Sequence, residues 1–199
     1  MQVELQTNAQ SEYWLLKNKI DESTCKRIIS LGENKWNDAK IIQGNISNYT
    51  LAVDEKLRIT DTYFSNDEWL YQMCWDFMEI ANRDSCWNFE VSACESMQVT
   101  RYREKGHYDF HYDGNGFTKW NTPNNIGIHG KTRKLSMTIL LNEDYEGGEF
   151  EFFNYSNLLI KEKMGTIIIF PSYMLHRVRP VTSGVRYSLV AWFNGQPFK

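Results

Sequence analysis

Two histidines and an aspartate, spaced so that one metal ion could reach all three, are the first chemistry this sequence offers. In the stretch Arg101–Gly114, RYREKGHYDFHYDG, His111 and Asp113 stand two residues apart. On a β-strand that spacing sends both side chains to one face. Far downstream, within Phe170–Trp192, His176 can supply a third ligand and Arg186 a fixed positive charge ten residues later. Two imidazoles and one carboxylate, with the remaining coordination positions open, make the facial triad that holds ferrous iron for oxygen chemistry.

The segment HYDFHYD carries two overlapping His-x-Asp pairs, His107/Asp109 and His111/Asp113. The second is preferred on physical grounds. It is followed at once by Gly114-Asn115-Gly116, so it lies at a strand end beside a loop, where a site can stay open. The first follows Gly106, at the strand start. Arg186 fits by parity, because Arg186, Ser188, Val190 and Trp192 share one face of the last strand. A carboxylate bound there would gain about 1.5–3 kcal/mol per charge-assisted hydrogen bond. Each residue alone has an ordinary reading. His-x-Asp pairs arise by chance, His176 suits a satisfied buried histidine equally well, and Arg186 could serve a surface ion pair. Tyr102 reads as core or as a hydroxyl donor, and His129, in a Gly-containing loop, as solvated. The joint order lifts the set: strand His-x-Asp, long gap, strand His, then Arg.

The elements that must position these residues divide the chain near Asp84. Before it, Tyr13-Trp14-Leu15-Leu16 reads as a short strand. Asp21 is a suitable N-cap for a helix over 22–32 that ends at Gly32. Residues 33–60 read as strands and loops, with Asn45–Asn48 a turn. Ser65-x-x-Glu68 has the form of a capping box, opening a helix over 66–82. Its apolar rhythm is Trp69, Leu70, Met73, Trp75, Phe77 and Ile80, a stripe that fits core packing against a sheet. After Asp84 the pattern changes to short strands: Glu95–Tyr102, His107–Asp113, Lys134–Asn142, Glu149–Asn154, Leu158–Lys161, Thr166–Phe170, Leu175–Pro180 and Arg186–Asn194. Glu146-Gly147-Gly148 and Thr182-Ser183-Gly184 read as turns between them. Such spacing suggests a sandwich or jelly roll. Gly114–Thr132 is the longest irregular stretch, a length that usually marks function or mobility.

With 199 residues the chain fits one domain, able to bury a core without staples. Its 7 Trp, 11 Tyr and 11 Phe suit strands and a ligand cavity more than a helical bundle. A net charge of −3 with no long basic run argues against a nucleic-acid partner. No apolar run is long enough to span a membrane, and MQVELQTNAQ lacks the marks of a signal peptide. Cys25, Cys74, Cys86 and Cys94 form no C-x-x-C pair and read as reduced thiols, so a cytoplasmic location is expected.

The order of motifs resembles the prolyl 4-hydroxylase branch of the Fe(II)/2-oxoglutarate dioxygenases, including its bacterial and viral hydroxylases. The resemblance runs from about Tyr13 to the end. It is carried by Gln98-Val99-Thr100-Arg101-Tyr102, Gly106-x-Tyr108-x-x-His111-x-Asp113, Arg133-Lys134-Leu135-Ser136 and Tyr145-Glu146-Gly147-Gly148-Glu149. Phe170-Pro171-Ser172 then leads to His176-x-Val178-x-Pro180-Val181-Thr182-x-Gly184-x-Arg186-Tyr187-Ser188-Leu189-Val190-x-Trp192. It assigns the ligand pair to His111/Asp113.

The resemblance implies an α+β, mainly β fold: a double-stranded β-helix (jelly roll) with the N-terminal helices packed on its major sheet. The chain would be one domain over 1–199, with 1–84 as support and 85–199 as catalytic core. It implies Fe(II) on His111, Asp113 and His176, and 2-oxoglutarate held by Arg186 and Tyr102. Ser136 would assist Arg186 and Trp192 would line the same cavity. The implied reaction uses O2 and 2-oxoglutarate, gives succinate and CO2, and hydroxylates a C–H bond, with ascorbate sustaining activity. Arg186 stands where many animal and plant members carry Lys, so a collagen-type substrate does not carry over. A proline-containing peptide or protein leads as substrate; a free amino acid or other small molecule follows. A nucleic-acid demethylase is disfavoured by the acidic balance and a missing second Arg after the distal His. A silent binding module is disfavoured because all four key side chains are present.

Overall fold

The architecture of this computed structural model follows from alternation along its strands. It describes residues 12–39, 41–45, 48–52, 54–153 and 159–199, without the side chains of 41–52 and 159. The chain begins with β1 (Trp14–Leu16), α1 (Glu22–Ser30), β2 (Asn37–Asp38), β3 (Ile41–Asn45), β4 (Asn48–Ala52), β5 (Arg58–Ile59), β6 (Asp61–Ser65) and α2 (Glu68–Asp84). Then come β7 (Ala93–Cys94), β8 (Met97–Tyr102), β9 (His107–His111), β10 (Thr132–Leu140), β11 (Tyr145–Gly147) and β12 (Phe150–Phe152). The last are β13 (Leu159–Ile160), β14 (Ile167–Pro171), β15 (His176–Val178), β16 (Val181–Gly184) and β17 (Arg186–Gly195).

The major sheet runs β1-β14-β10-β17-β8-β6-β2, with β7 also on β17; the minor sheet runs β13-β12-β15-β9-β5. The described ladders of both are antiparallel. This is the expected jelly roll, mainly β with two helices on one side.

Period-2 alternation gives the major sheet two unlike faces. Ile167 and Ile169 of β14, Met137 and Ile139 of β10, Leu189 and Ala191 of β17 and Val99 of β8 pack with the helices. The residues between them, Ile168 and Phe170, join Tyr102, Phe150, Phe152 and Val178 between the sheets. The same inward parity carries polar groups: Gln98, Thr100, Ser136, Thr138 and Ser188 are all buried. That polar patch in an otherwise apolar interior is where a ligand can be held.

α1 starts where the sequence places it, with Asp21 accepting from Thr24 N at 2.9 Å. α2 starts later than expected. Its N-cap is Asp67, without a side-chain capping bond, because Ser65 ends β6 and hydrogen-bonds Asp67 instead. Its fully buried stripe is Leu70, Cys74, Met78 and Ala81, with Trp69, Met73, Trp75 and Phe77 partly buried around it. Ile80 is exposed. Each fully buried Leu or Met contributes about 1.5–3 kcal/mol, so this stripe fixes the helix on the sheet.

One sequence expectation needs correction, and one strand carried no reading at all. The two Gly-containing turns are strands: β11 and β16 pair with each other. Asp61–Ser65 is a full strand of the major sheet, paired along β8. β3 and β4 pair with each other up to Asn45 opposite Asn48, and residues 46 and 47 of the expected turn-rich patch lie outside those described. None of the four cysteines forms a disulfide.

Candidate active site

β9 and β15 are neighbours in the minor sheet, and His176 lies directly opposite His111. Asp113 is beyond the strand end rather than on it, which corrects the simple parity argument. Its N–H and that of Gly114 both donate to Ser172 O, at 3.1 and 3.0 Å. This pair of hydrogen bonds to the chain just after β14 swings Asp113 towards the two imidazoles. His111 Nε2 lies 3.7 Å from Asp113 Oδ1, and His176 Nε2 lies 3.6 Å from Oδ2. One donor atom from each residue falls within 4.8 Å of the others.

Both rings are oriented from behind. His111 Nδ1 faces Asp109 O and His176 Nδ1 faces Met174 O, each at 2.8 Å. A carbonyl only accepts, so the neutral ring carries its proton on Nδ1 and turns the Nε2 lone pair towards Asp113. Burial, helped by the neighbouring His176, pushes the His111 imidazole down to about 3. It is neutral across the physiological range, as a metal ligand must be. Burial would push the Asp113 carboxyl up. Its interactions with His176, His111 and Arg133 and a hydrogen bond from Ser136 outweigh it, holding the group below its ordinary value. Neutral nitrogen donors and an ionised oxygen donor at these separations fit a divalent first-row metal.

The rival pair lies elsewhere. His107 meets the carbonyls of Lys105 and Lys56, and the Asp109 carboxylate is half exposed, 3.9 Å from Arg177. Asp109 contributes through its backbone, as the acceptor that orients His111.

Arg186 opens β17 and is 1% exposed. Its Nη1 donates to Ser188 Oγ at 2.9 Å, and Ser188 Oγ lies 2.6 Å from Thr100 Oγ1. Tyr102, opposite it in the ladder, has its ring 5.4 Å from the guanidinium carbon. Nε and Nη2 are buried without a hydrogen-bond partner. A buried guanidinium with two unused donors is costly unless an anion completes it, and a carboxylate suits its planar fork. Gly148, at φ +63°, presses on Arg186 from outside: a Cβ there would stand 2.9 Å from Arg186 Cδ.

Ser136 is placed differently from the sequence expectation. Its Oγ lies 2.9 Å from Ser172 Oγ and it hydrogen-bonds Asp113, so it reaches the triad. Trp192 lines the cavity, with Nε1 buried and unpartnered. The Arg133 guanidinium lies 4.0 Å over its ring. Arg133 also holds Glu95 through two bonds, 2.7 and 2.6 Å, and reaches Asp113 O at 3.2 Å.

Sequence reasoning gave no role to Arg133, Tyr108 or Arg58. The first two lay inside quoted motifs. Tyr108 stacks on His111, ring centroids 3.4 Å apart and planes 10° apart, and burial pushes its hydroxyl up to about 12. Arg58, on a two-residue strand, left no pattern to find. The space enclosed by these walls is about 40 Å³. A groove of about 930 Å³ lies elsewhere, against Glu146, Lys161 and Arg179, and includes none of the triad. Size does not locate the chemistry.

Residues 97–194 match the family described as the 2OG-Fe(II) oxygenase superfamily, a span that includes His111, Asp113, His176 and Arg186. A PKHD-type hydroxylase of Synechococcus sp. (strain CC9311) is 31% identical over 183 residues, covering 87% of this chain and 74% of the relative. Another, from Synechococcus sp. (strain CC9902), is 42% identical over 82 residues, 40% of this chain and only 36% of the relative. Among solved structures, the fold is similar to the viral collagen prolyl hydroxylase of Paramecium Bursaria Chlorella virus-1. That likeness has TM-score 0.67 and 19% identity, covering 95% of this chain and 99% of the other. A Trichoplax adhaerens prolyl hydroxylase, solved with a hypoxia inducible factor peptide, gives TM-score 0.64 and 17% identity, covering 96% and 85%.

Proposed function

Since the chain belongs to the 2OG-Fe(II) oxygenase superfamily and is a 2-oxoglutarate-dependent dioxygenase of the prolyl hydroxylase type, we propose that it hydroxylates a prolyl C–H bond in a peptide or protein. Its cofactors are Fe(II), 2-oxoglutarate and O2, with ascorbate typical of the family. The observation that carries the reading is one constellation. A His-Asp-His triad within 4.8 Å lies in the inter-sheet cavity, and a buried guanidinium with unused donors is bonded to Ser188 in the wall of that cavity.

In this reading His111, Asp113 and His176 hold iron. Arg186 holds the far carboxylate of 2-oxoglutarate, beside Tyr102. When bound, iron with the keto acid supplies the oxidation of a C–H bond by O2, with succinate and CO2 released. The chain positions and shields. The carbonyls of Asp109 and Met174 keep each imidazole aimed, and Ser136 steadies Asp113. Tyr108 and Trp192 cover the cavity and exclude water. Residues 1–84 and 85–199 act as one oxygenase domain, with 114–132 and 41–50 closing over the substrate.

A peptide substrate is supported by the names of relatives, including the one solved with a peptide. A free amino acid is the second reading, favoured by the placement of Arg58 treated below. Succinate release from 2-oxoglutarate with Fe(II), in wild type and His176→Ala, tests the core. We expect the variant to lose turnover; equal turnover in both would remove the triad. Mass spectrometry of a proline-rich peptide library, seeking a gain of one oxygen, tests the substrate.

A further inference from the structure

Two arginines of the described core are at least nine-tenths buried, Arg186 at 1% exposure and Arg58 at 6%. Neither has a carboxylate partner among the described residues. Other arginines near the cavity are committed: Arg101 to Asp61 at 2.8 Å, Arg133 to Glu95 at 2.6 Å, Arg177 and Arg179 to Glu151 at 2.7 Å. Arg186 has its use in the keto acid. Arg58 has none so far.

Arg58 lies opposite Tyr108 in the β5–β9 ladder, and its guanidinium carbon stands 4.6 Å from the Tyr108 ring. Tyr108 in turn stacks on the ligand imidazole of His111. A cation on an aromatic face accounts for where the side chain rests. It does not account for Nε, which is buried without a hydrogen-bond partner. The same residue lines the cavity that contains the triad and also a separate surface groove of about 300 Å³. Arg101 and Arg103 share that groove but are drawn to Asp61. Arg58 is therefore the wall between solvent and the metal centre, and it presents an unspent charge.

One 2-oxoglutarate does not use both guanidiniums if Arg186 takes its far carboxylate and the triad's ion faces its keto end. A second anion then has to come from the molecule being oxidised. Resting on the oxygenase reading above, we propose that Arg58 recognises a carboxylate of the primary substrate. That carboxylate belongs either to a free amino acid or to the C-terminal residue of a peptide. It anchors the substrate from the groove so that a nearby C–H bond meets the metal centre. An internal residue of a long chain, with no carboxylate beside the reacting carbon, would leave Arg58 Nε unmet and bind less well.

The test uses the Fe(II) and 2-oxoglutarate-loaded protein without O2, titrated calorimetrically. The probes are the common L-amino acids, their N-acetyl derivatives and their N-acetyl amides, proline included. We expect at least one free-carboxylate probe to bind, and its amide to bind about 10- to 100-fold more weakly. Free amino acids and N-acetyl acids separate the two sources of the carboxylate. Arg58→Gln should remove the same factor, and Arg58→Lys, which keeps a point charge without the fork, should fall between. Circular dichroism and thermal melting establish that both variants are folded, and only folded variants are scored. If Arg58→Gln does not fold, the acid-to-amide ratio in wild type decides.

Equal binding of acid and amide, undiminished binding by Arg58→Gln, or no binding by any probe would each overturn the proposal. So would an Arg58→Gln loss of 2-oxoglutarate affinity as large as the loss of probe affinity, which would give Arg58 to the keto acid. Absence of succinate formation by the wild type would instead sink the oxygenase reading itself.

Discussion

Arg186 and Ser188 stand two residues apart on one face of β17, and the 2.9 Å bond from Nη1 to Oγ fixes a guanidinium whose other donors are unspent. Replacing Arg186 by Ala should raise the 2-oxoglutarate concentration needed for turnover on the order of a hundredfold, the size of one or two charge-assisted hydrogen bonds. Metal affinity, measured by titration with Mn(II), should be nearly unchanged. An unchanged 2-oxoglutarate requirement would mean that another cation serves.

Gly148 offers a gentler approach to the same guanidinium. Alanine there meets both a positive φ and Arg186 Cδ at 2.9 Å. Gly148→Ala should lose about 1 kcal/mol or more of stability and also weaken 2-oxoglutarate binding, read as a higher apparent KM. A stability loss without a KM change would separate the glycine from the site.

Ser136 and Ser172 form a buried hydroxyl pair beside Asp113. Ser136→Ala should weaken metal binding about 10- to 100-fold by leaving the carboxylate less well oriented. Its effect on the 2-oxoglutarate KM should be small at saturating metal. The opposite pattern would return Ser136 to the Arg186 end.

Glu151 is 1% exposed and accepts from both Arg177 and Arg179 at 2.7 Å. Burial pushes its carboxyl up, but the Arg179 and Arg177 bonds and charges prevail and hold it below the ordinary 4.5. A depressed carboxylate stabilises the fold above its unfolded pKa, and that contribution fades as pH falls through the folded value. Glu151→Gln should therefore cost about 1–2 kcal/mol near neutral pH. The gap in urea midpoints between wild type and variant should close progressively below about pH 4.5. A gap that persists at low pH would assign the effect to packing.

Burial pushes the Cys25 thiol up to about 11 and the Cys74 thiol up to about 12. Both should resist iodoacetamide at neutral pH in the native protein and react once urea unfolds it, because only the thiolate attacks. Peptide mapping reads this directly. Rapid native labelling of Cys74 would mean that α2 lifts from the sheet.

The parts of this fold that the sequence disclosed are those where side-chain parity and burial agree. β17 was legible because Arg186, Ser188 and Trp192 alternate with Leu189, Ala191 and Phe193, and the ladder kept that parity. The jelly roll and the start of α1 followed from similar local signals. Asp113 escaped strand parity because its position depends on Ser172, a partner remote in sequence. β11 and β16 looked like turns because each carries glycine, which adopts positive φ at Gly147 and Gly184, and only their mutual pairing makes them strands. Ser136 was expected to assist Arg186; its face was legible, but its hydrogen bonds to Ser172 and Asp113 depend on partners remote in sequence. Arg58 depends wholly on the β5–β9 ladder, and two residues of strand carry no periodicity.

The direct opposition of His111 and His176 across two adjacent strands carries a mechanical corollary. An ion gripping both rings would rivet β9 to β15, and a slip of one residue would throw one ring to the outside of the barrel. Chelation should thus fray the minor sheet first, leaving the helix-backed major sheet protected against hydrogen exchange. Iron would then be a fastener as well as a reagent, and iron starvation would act on the enzyme's lifetime as well as on its rate.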